Sequence, residues 1–386
     1  MTMTTRPRPL GAYPVRIRRQ RDLIPSRSRR LAIFVSSVIL GLLIGALLMA
    51  IMRVDVLTAY RSLVSGAFGN SDNLVATLLK TAPLLLAGLG VLVAFRAGIY
   101  NIGNQGQFLA GALCSTWVAL HVGTVSGALG VPLMVVSGLA GGALWALVPA
   151  LLRAVWGINE IITTLMFNYV AVYLIDYLVT GPMQSASLGV PETDFLPSGM
   201  QLPIIAPGTQ LHAGFLLAII AMLLIYVLIF HTSIGYEIRA VGHNPRAAQY
   251  GGVSLRRTIV GVMLLSGALS GLAGMGEITG VHHQLLDGVD GGFEYTPIVV
   301  ALLGVLNPFG VAVAALGFAA LSVGADNMQT VVGLPSSFIS IIQALIVLFI
   351  LAGEYLGRLT IERRGPASES REAAEAETTQ TREVKL

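Results

Sequence analysis

The chain has 386 residues, 54% of them hydrophobic and 11% charged, with mean hydropathy +0.76 and a formal net charge of +4. Soluble domains carry roughly a quarter charged residues, so this composition excludes an ordinary soluble protein and indicates a polytopic membrane protein. The single cysteine, Cys114, rules out a disulfide within the chain and sits in an apolar run, where it packs as a small hydrophobe.

Nine arginines precede residue 31 and only Asp22 opposes them. Residues 1–30 are therefore read as a basic cytoplasmic arm, because positive charge beside a spanning helix stays inside. A nucleic-acid-binding arm is set aside, since charges that abut a spanning helix are topogenic. The run 31–52 is too long, and lacks the small-residue cleavage site, for a signal peptide.

Apolar runs then predict helices at 31–52, 74–95, 105–121, 127–151, 161–180, 213–231, 258–280, 295–306, 309–325 and 335–353. Between the first two, residues 53–73 suit a short external amphipathic helix. The run 295–306 is short for a full span, and Pro308 and Gly310 favour a tight turn after it. Ten spans from a cytoplasmic start return the C-terminus to the cytoplasm. Arg96, Arg153, Arg239, Arg246, Arg256, Arg257, Arg358, Arg363 and Arg364 fall inside on this count, while the loop 181–212 has neither Lys nor Arg. Only Arg53 and Arg61 oppose the pattern. The expected organisation is the arm 1–30, a transmembrane domain 31–353 with a cytoplasmic coupling loop 232–257, and a tail 354–386 without apolar periodicity that is read as disordered.

Four stretches carry the candidate chemistry. In "FRAGIYNIGNQGQFLAGA", residues 95–112, Gly98 and Gly103 have phosphate-loop spacing, but Asn104 and Gln105 stand where Lys and Ser or Thr are needed. The chain has only two lysines, Lys80 and Lys385, so an ATPase within it is excluded. Carboxamides at membrane depth must be paired or face a cavity. A broken or re-entrant segment near 98–105 is expected, with Asn101, Asn104, Gln105 and Gln107 on the substrate pathway or, alternatively, bonding across packed helices.

In "GINEIITTLMFNYVAVYLIDY", residues 157–177, Thr164 and Asn168 share a helix face at i,i+4 and are placed on the pathway. Glu160 either favours the helix dipole or gates the entry. In "SGALSGLAGMGEITG", Gly267 with Gly271 and Ser270 with Gly274 give the spacing for close helix approach. Glu277 at its outer end lines the pathway or lies at the interface. His282, His283, Asp287 and Asp290 follow, but adjacent histidines do not converge and no cysteine joins them, so a metal site is rejected. In the inner loop 231–258, Asn244 is an N-cap, Pro245 suits the first helical position, and Gly251 or Gly252 ends the turn. The resulting short helix exposes Ala247 and Ala248 as a flat surface for a partner.

"GIYNIGNQGQ" (98–107), "NEIITTLMFNY" (159–169) and "GHNPRAAQYGG" (242–252) together resemble the permease subunits of bacterial ABC importers in the branched-chain amino acid, ribose and nucleoside group, most closely the nucleoside or simple-sugar branch. The last motif is similar to the degenerate EAA coupling loop, with Arg-Ala-Ala in place of Glu-Ala-Ala. The resemblance covers roughly 74–353. It implies an all-α fold of about ten spans, of the cobalamin-importer (type II) architecture, in a multi-pass plasma-membrane protein with both termini cytoplasmic. It also implies two ATPase subunits, a second permease of a different paralogue, an external substrate-binding lipoprotein, and membrane lipid as the surroundings. The coupling residues it suggests are Glu237, Arg239, Asn244, Arg246, Ala247, Ala248 and Gly251. No cofactor is expected on this chain; ATP and Mg belong to the partner ATPase, so the chain is not an enzyme. The expected function is alternating-access import of nucleosides. Ribose-like sugars or branched-chain amino acids are the alternative cargoes. An ion-driven carrier using Asp176 and Glu277 is a rival of another class, and a membrane enzyme is the third.

Overall fold

A computed structural model describes residues 15–19, 27–123, 125–186, 189–291, 295–357 and 359–363. The chain forms two compact units, Met1–Leu48 with Ile342–Leu386, and Met49–Ile341. In the first, α1 (Arg27–Ile51) supplies most of its length and pairs at Gly41 with Ile346 of α13 (Ser336–Gly357), where no Cβ would fit. Strands β1 (Val15–Arg19) and β2 (Leu359–Arg363) pair antiparallel, Val15 opposite Arg363. The tail expected to lack structure thus contributes one strand; residues 364–386, like 1–14 and 20–26 of the arm, lie outside the described residues.

Among the described residues, the second unit is built from helices joined by irregular segments. It holds α2 (Val56–Phe68), α3 (Ser71–Arg96), α4 (Asn104–Val122), α5 (Gly127–Trp156), α6 (Glu160–Val179) and α7 (Gly214–His231). After these come α8 (Ser233–His243), α9 (Pro245–Tyr250), α10 (Leu255–Glu277), α11 (Thr296–Leu303) and α12 (Pro308–Val332). The amphipathic helix expected after the first span is α2, capped by Asp55, which accepts from the Leu57 and Thr58 N–H groups. Helix α8 lies where a loop was expected, because Thr232 caps it by accepting from Gly235 N–H.

Among the described residues, six helices are long and apolar enough to cross a membrane: α3, α5, α6, α7, α10 with its π-turn Ile278–His282, and α12. With the apolar composition of the whole chain, these six mark a multi-pass membrane protein. Helix α11 has eight residues, about 12 Å, and is too short to span. Helix α4 is diluted by Asn104, Gln105 and Gln107 at its start.

Helix α10 is the centre of this unit, packed by α3, α4 and α5. Its glycines explain why. A Cβ on Gly267 would strike the Gly142 carbonyl, one on Gly271 the Gly138 carbonyl, and one on Gly274 the Phe108 carbonyl. Without a hydrophobic drive between helices in lipid, such backbone approach supplies the van der Waals contact that holds them. Helix α3 is buried on every side from Thr81 to Ala94, as a helix apolar all round should be.

The chain reverses inside this bundle twice. After α3 it turns at Gly98, whose φ of +72° is open to glycine, and runs back extended to Gly103 before α4 begins. After the π-turn it runs back through residues 283–291. The height of the first return follows from α10. Asn104 accepts from Ser270 Oγ at 3.2 Å. Ser270 lies about 22 Å along a helix that, with its π-turn, is about 42 Å long. Helix α4 therefore starts near mid-height.

Candidate functional site

The extended return 97–103 runs back from the end of α3 into the bundle, so the protein must satisfy its backbone polar groups. One face of α6 does so. The Tyr100 N–H donates to Glu160 Oε1 at 3.2 Å, the Ile102 N–H to Thr164 Oγ1 at 3.2 Å, and the Gly106 N–H to Asn168 Oδ1 at 2.9 Å. Asn168 Nδ2 donates in turn to the Ile102 carbonyl at 2.9 Å. The spacing has a simple cause. Four residues of helix rise about 6 Å, and two residues of extended chain advance about 6.6 Å. Glu160 and Thr164 therefore stay in step with Tyr100 and Ile102. Asn168 additionally caps the first turn of α4 from another helix, at a position where α4 has no side-chain cap of its own.

Asn101 points the other way, as alternation along an extended chain requires. Its Nδ2 donates to Ser266 Oγ of α10 at 2.9 Å and to Gln107 Oε1 at 3.0 Å. Its Oδ1 accepts from Gly103 N–H and Gln107 Nε2. Asn101, Asn104, Gln107, Thr164 and Asn168 are all buried.

Magnitudes decide what these amides do. To bond a cargo, Asn168 would orphan the Gly106 N–H and the Ile102 carbonyl, at about 1–3 kcal/mol each, for a neutral hydrogen bond with a net value of about 0.5–1.5 kcal/mol. Asn168 is a brace, and the same arithmetic holds for Asn101 and Gln107. Asn104 differs: its Nδ2 is buried without a partner.

A cavity of about 290 Å³ opens beside this brace, lined by Gln105, Asn168, Tyr169, Tyr173, Asp287, Asp290 and Tyr295, with Leu109, Leu165, Val172, Ile175 and Gly288 between them. Its size is at the lower end for small-molecule sites. Gln105 Nε2 donates to Asp290 Oδ2 at 2.5 Å across it, joining the start of α4 to the second return. Of the residues placed on the pathway from sequence, Gln105 and Asn168 line the cavity. Asn101, Asn104, Gln107 and Thr164 stand behind it, and Glu277 lies apart, 3.6 Å from His282. The carboxylates and tyrosines are what the motif reading passed over: Asp287 and Asp290 were weighed only as metal ligands, and no cluster of three metal-ligating side chains occurs among the described residues.

The residues expected to take part in coupling lie around the C-terminal end of α3, where the first return starts. Asn244 caps α9 by accepting from Ala247 N–H at 3.1 Å, with Pro245 at its first position and Gly252 in the left-handed region behind it. Arg246, Ala247 and Gly251 are exposed, Glu237 is half-buried, and Tyr250 is 94% exposed. Ala248 is buried, so the flat surface expected from the Ala-Ala pair presents Ala247 alone; a bulky residue at Ala248 would act on the fold. Arg239 is half-buried: its guanidinium donates to the Ile229 carbonyl at 2.5 Å and lies over the Phe230 ring. At the end of α8, Gly242 packs on the backbone of Arg96 and Ala97, and a Cβ built on Gly98 would lie 3.6 Å from Gly242 Cα. The first return therefore rests directly on the α8–α9 element. Arg96 also donates to the Leu306 carbonyl at 2.9 Å, in a turn where Val305 and Leu306 both adopt positive φ before Asn307 caps α12.

Residues 73–351 match the family described as the branched-chain amino acid transport system permease component. The chain belongs to this family. Among curated relatives, the permease is 36% identical to a glucose ABC transporter permease protein of Haloferax volcanii, over 86% of this chain and 90% of that protein. It is 35% identical to a guanosine ABC transporter permease protein of Bacillus subtilis, over 81% and 91%, and 32% identical to a nucleoside ABC transporter permease protein of Lactococcus lactis, over 91% and 97%. No solved structure gives a significant match to the permease.

Proposed function

We propose that the permease imports nucleosides by alternating access, as the membrane subunit of an ATP-binding cassette importer. The observation that carries this is the mid-height cavity with tyrosine walls and exchangeable polar groups, in a chain whose relatives over most of their length are named for guanosine and nucleosides. An aromatic wall suits the face of a nucleobase.

In this reading about ten spans form a cobalamin-importer-like bundle in the bacterial plasma membrane, with both termini cytoplasmic. The basic arm 1–30 precedes the transmembrane domain 31–353, and the tail 354–386 follows it. Two ATPase subunits bind the exposed face of α9, at Arg246, Ala247 and Tyr250, and hold the ATP and Mg; this chain carries no cofactor. A second permease completes the pathway, and an external lipoprotein delivers the cargo. Motion of α8 and α9 passes through Gly242 and Gly98 to the first return, which carries Gln105 into the cavity. Gln105 touches cargo, while Asn101, Asn104, Gln107, Thr164 and Asn168 hold it in position; Glu277 belongs to the outer end.

Reconstitution with the partner subunits tests this: ATP-dependent accumulation of radiolabelled guanosine in proteoliposomes is expected. Accumulation that persists without the ATPase but collapses with the proton gradient would replace it with an ion-driven carrier. A sugar is the second reading, favoured by the relative named for glucose; inhibition of uptake by glucose but not by guanosine would select it.

A further inference from the structure

The cavity's polar groups divide into those already committed and those free to change partner. Asn168 is committed on both sides of its amide. Gln105 and Asp290 hold one another across the cavity, and Asp287 lines it exposed. No Lys, Arg or His lines this cavity among the described residues. Two carboxylates at this depth without a counter-cation are costly and mark a functional group. They can only accept hydrogen bonds, so the ligand must bring donors.

The cargoes named for the relatives, glucose and guanosine, share one donor arrangement: adjacent hydroxyls on a sugar ring. A carboxylate can receive two neighbouring O–H groups at once, with charge strengthening each bond. Resting on the import reading above, we infer that Asp290 passes from Gln105 to the vicinal hydroxyls of the cargo, and that Asp287 beside it repels phosphorylated forms. The Gln105 amide keeps the carboxylate satisfied while the pathway is empty. The exchange then replaces one charge-assisted bond with two, so a hydroxylated cargo gains where a deoxy analogue does not. The tyrosines hold the ring system and do not read the hydroxyls.

The test compares guanosine with 2′,3′-dideoxyguanosine in proteoliposomes holding the intact importer with its ATPases and receptor, each nucleoside at saturating concentration so that receptor affinity drops out. Wild-type maximal uptake of guanosine is expected to exceed that of the dideoxy compound on the order of 10-fold, the scale of a lost hydrogen bond to a charged group. Asp290→Asn should bring guanosine down to the dideoxy rate and leave the dideoxy rate nearly unchanged. Gln105→Leu, which retains the carboxylate, should preserve the ratio. A wild-type ratio near one overturns the inference whatever the variants do, and so does a ratio that survives Asp290→Asn or disappears in Gln105→Leu. If neither nucleoside enters, the nucleoside reading falls instead, and the same ratio is read with glucose against 2,4-dideoxyglucose, which has no adjacent hydroxyls.

Discussion

The two returns inside the bundle use polar residues in opposite ways. The first, 97–103, is surrounded by carboxamides and a hydroxyl whose bonds are already taken by backbone and by one another. The second, from residue 283 to 291, brings Asp287 and Asp290 to a cavity where Asp290 is held by one bond from Gln105. The difference teaches that polarity at membrane depth does not by itself identify a cargo contact. What matters is whether a group can leave its present partner without orphaning a buried one.

Breaking the first return should cost the most. Asn101→Ala removes the partners of Gly103 N–H, Ser266 Oγ and both ends of the Gln107 amide; a stability loss of about 3 kcal/mol or more is expected, at about 1–3 kcal/mol per orphaned group. Thermal unfolding in detergent measures it, and a melting temperature equal to wild type would refute the bracing role. Tyr173→Ala at the cavity wall should do the reverse. Uptake should fall roughly threefold to tenfold, the scale of an aromatic contact of about 0.5–1.5 kcal/mol, while unfolding stays where it was.

A smaller effect should come from pH, at the outer margin of the second return. His212 is buried beside Gly280, and burial holds its pKa below the ordinary 6.5, with His283 adding to this and Glu277 opposing it. The folded chain keeps it neutral, with Nδ1 accepting from Gly214 N–H at 3.1 Å. Below pH 6.5 the unfolded chain takes up a proton that the folded one refuses, so stability should decline as the pH falls from 6.5 and stay flat above it. His212→Gln should flatten the lower limb in denaturation at several pH values. The smallest effect is expected for Asn104→Leu. Its one bond from Ser270 is offset by an unpartnered Nδ2, so replacement by an apolar group of similar shape should shift stability by under about 1 kcal/mol. Guanosine uptake should be unchanged, and a large loss would move Asn104 onto the pathway.

Much of this was legible in the sequence, for identifiable reasons. Hydropathy marked the long helices, and the glycine spacing in α10 marked the faces that touch, because both are local properties. The break at 98–105 was legible because so many amides cannot face lipid. Helix α8 was not, since its amphipathic face alternates with glycines that read as loop until Gly242 is seen against Arg96. The burial of Ala248 depends on how α9 sits on its neighbours, which its six residues do not encode. The pairing of Gln105 with Asp290 joins positions 185 residues apart, and nothing in either motif refers to the other.

The in-step fit of α6 with the first return also limits how this segment can vary in length. Removing Ile99, just before this row, would swap inward and outward parity, turning Asn101 toward α6 and an apolar neighbour toward Ser266. Adding a residue there would do the same. Substitutions along 100–106 can be repaired one bond at a time, whereas an insertion or deletion there breaks the whole row at once, so the stretch acts as a fixed ruler between the α8–α9 element and the cavity.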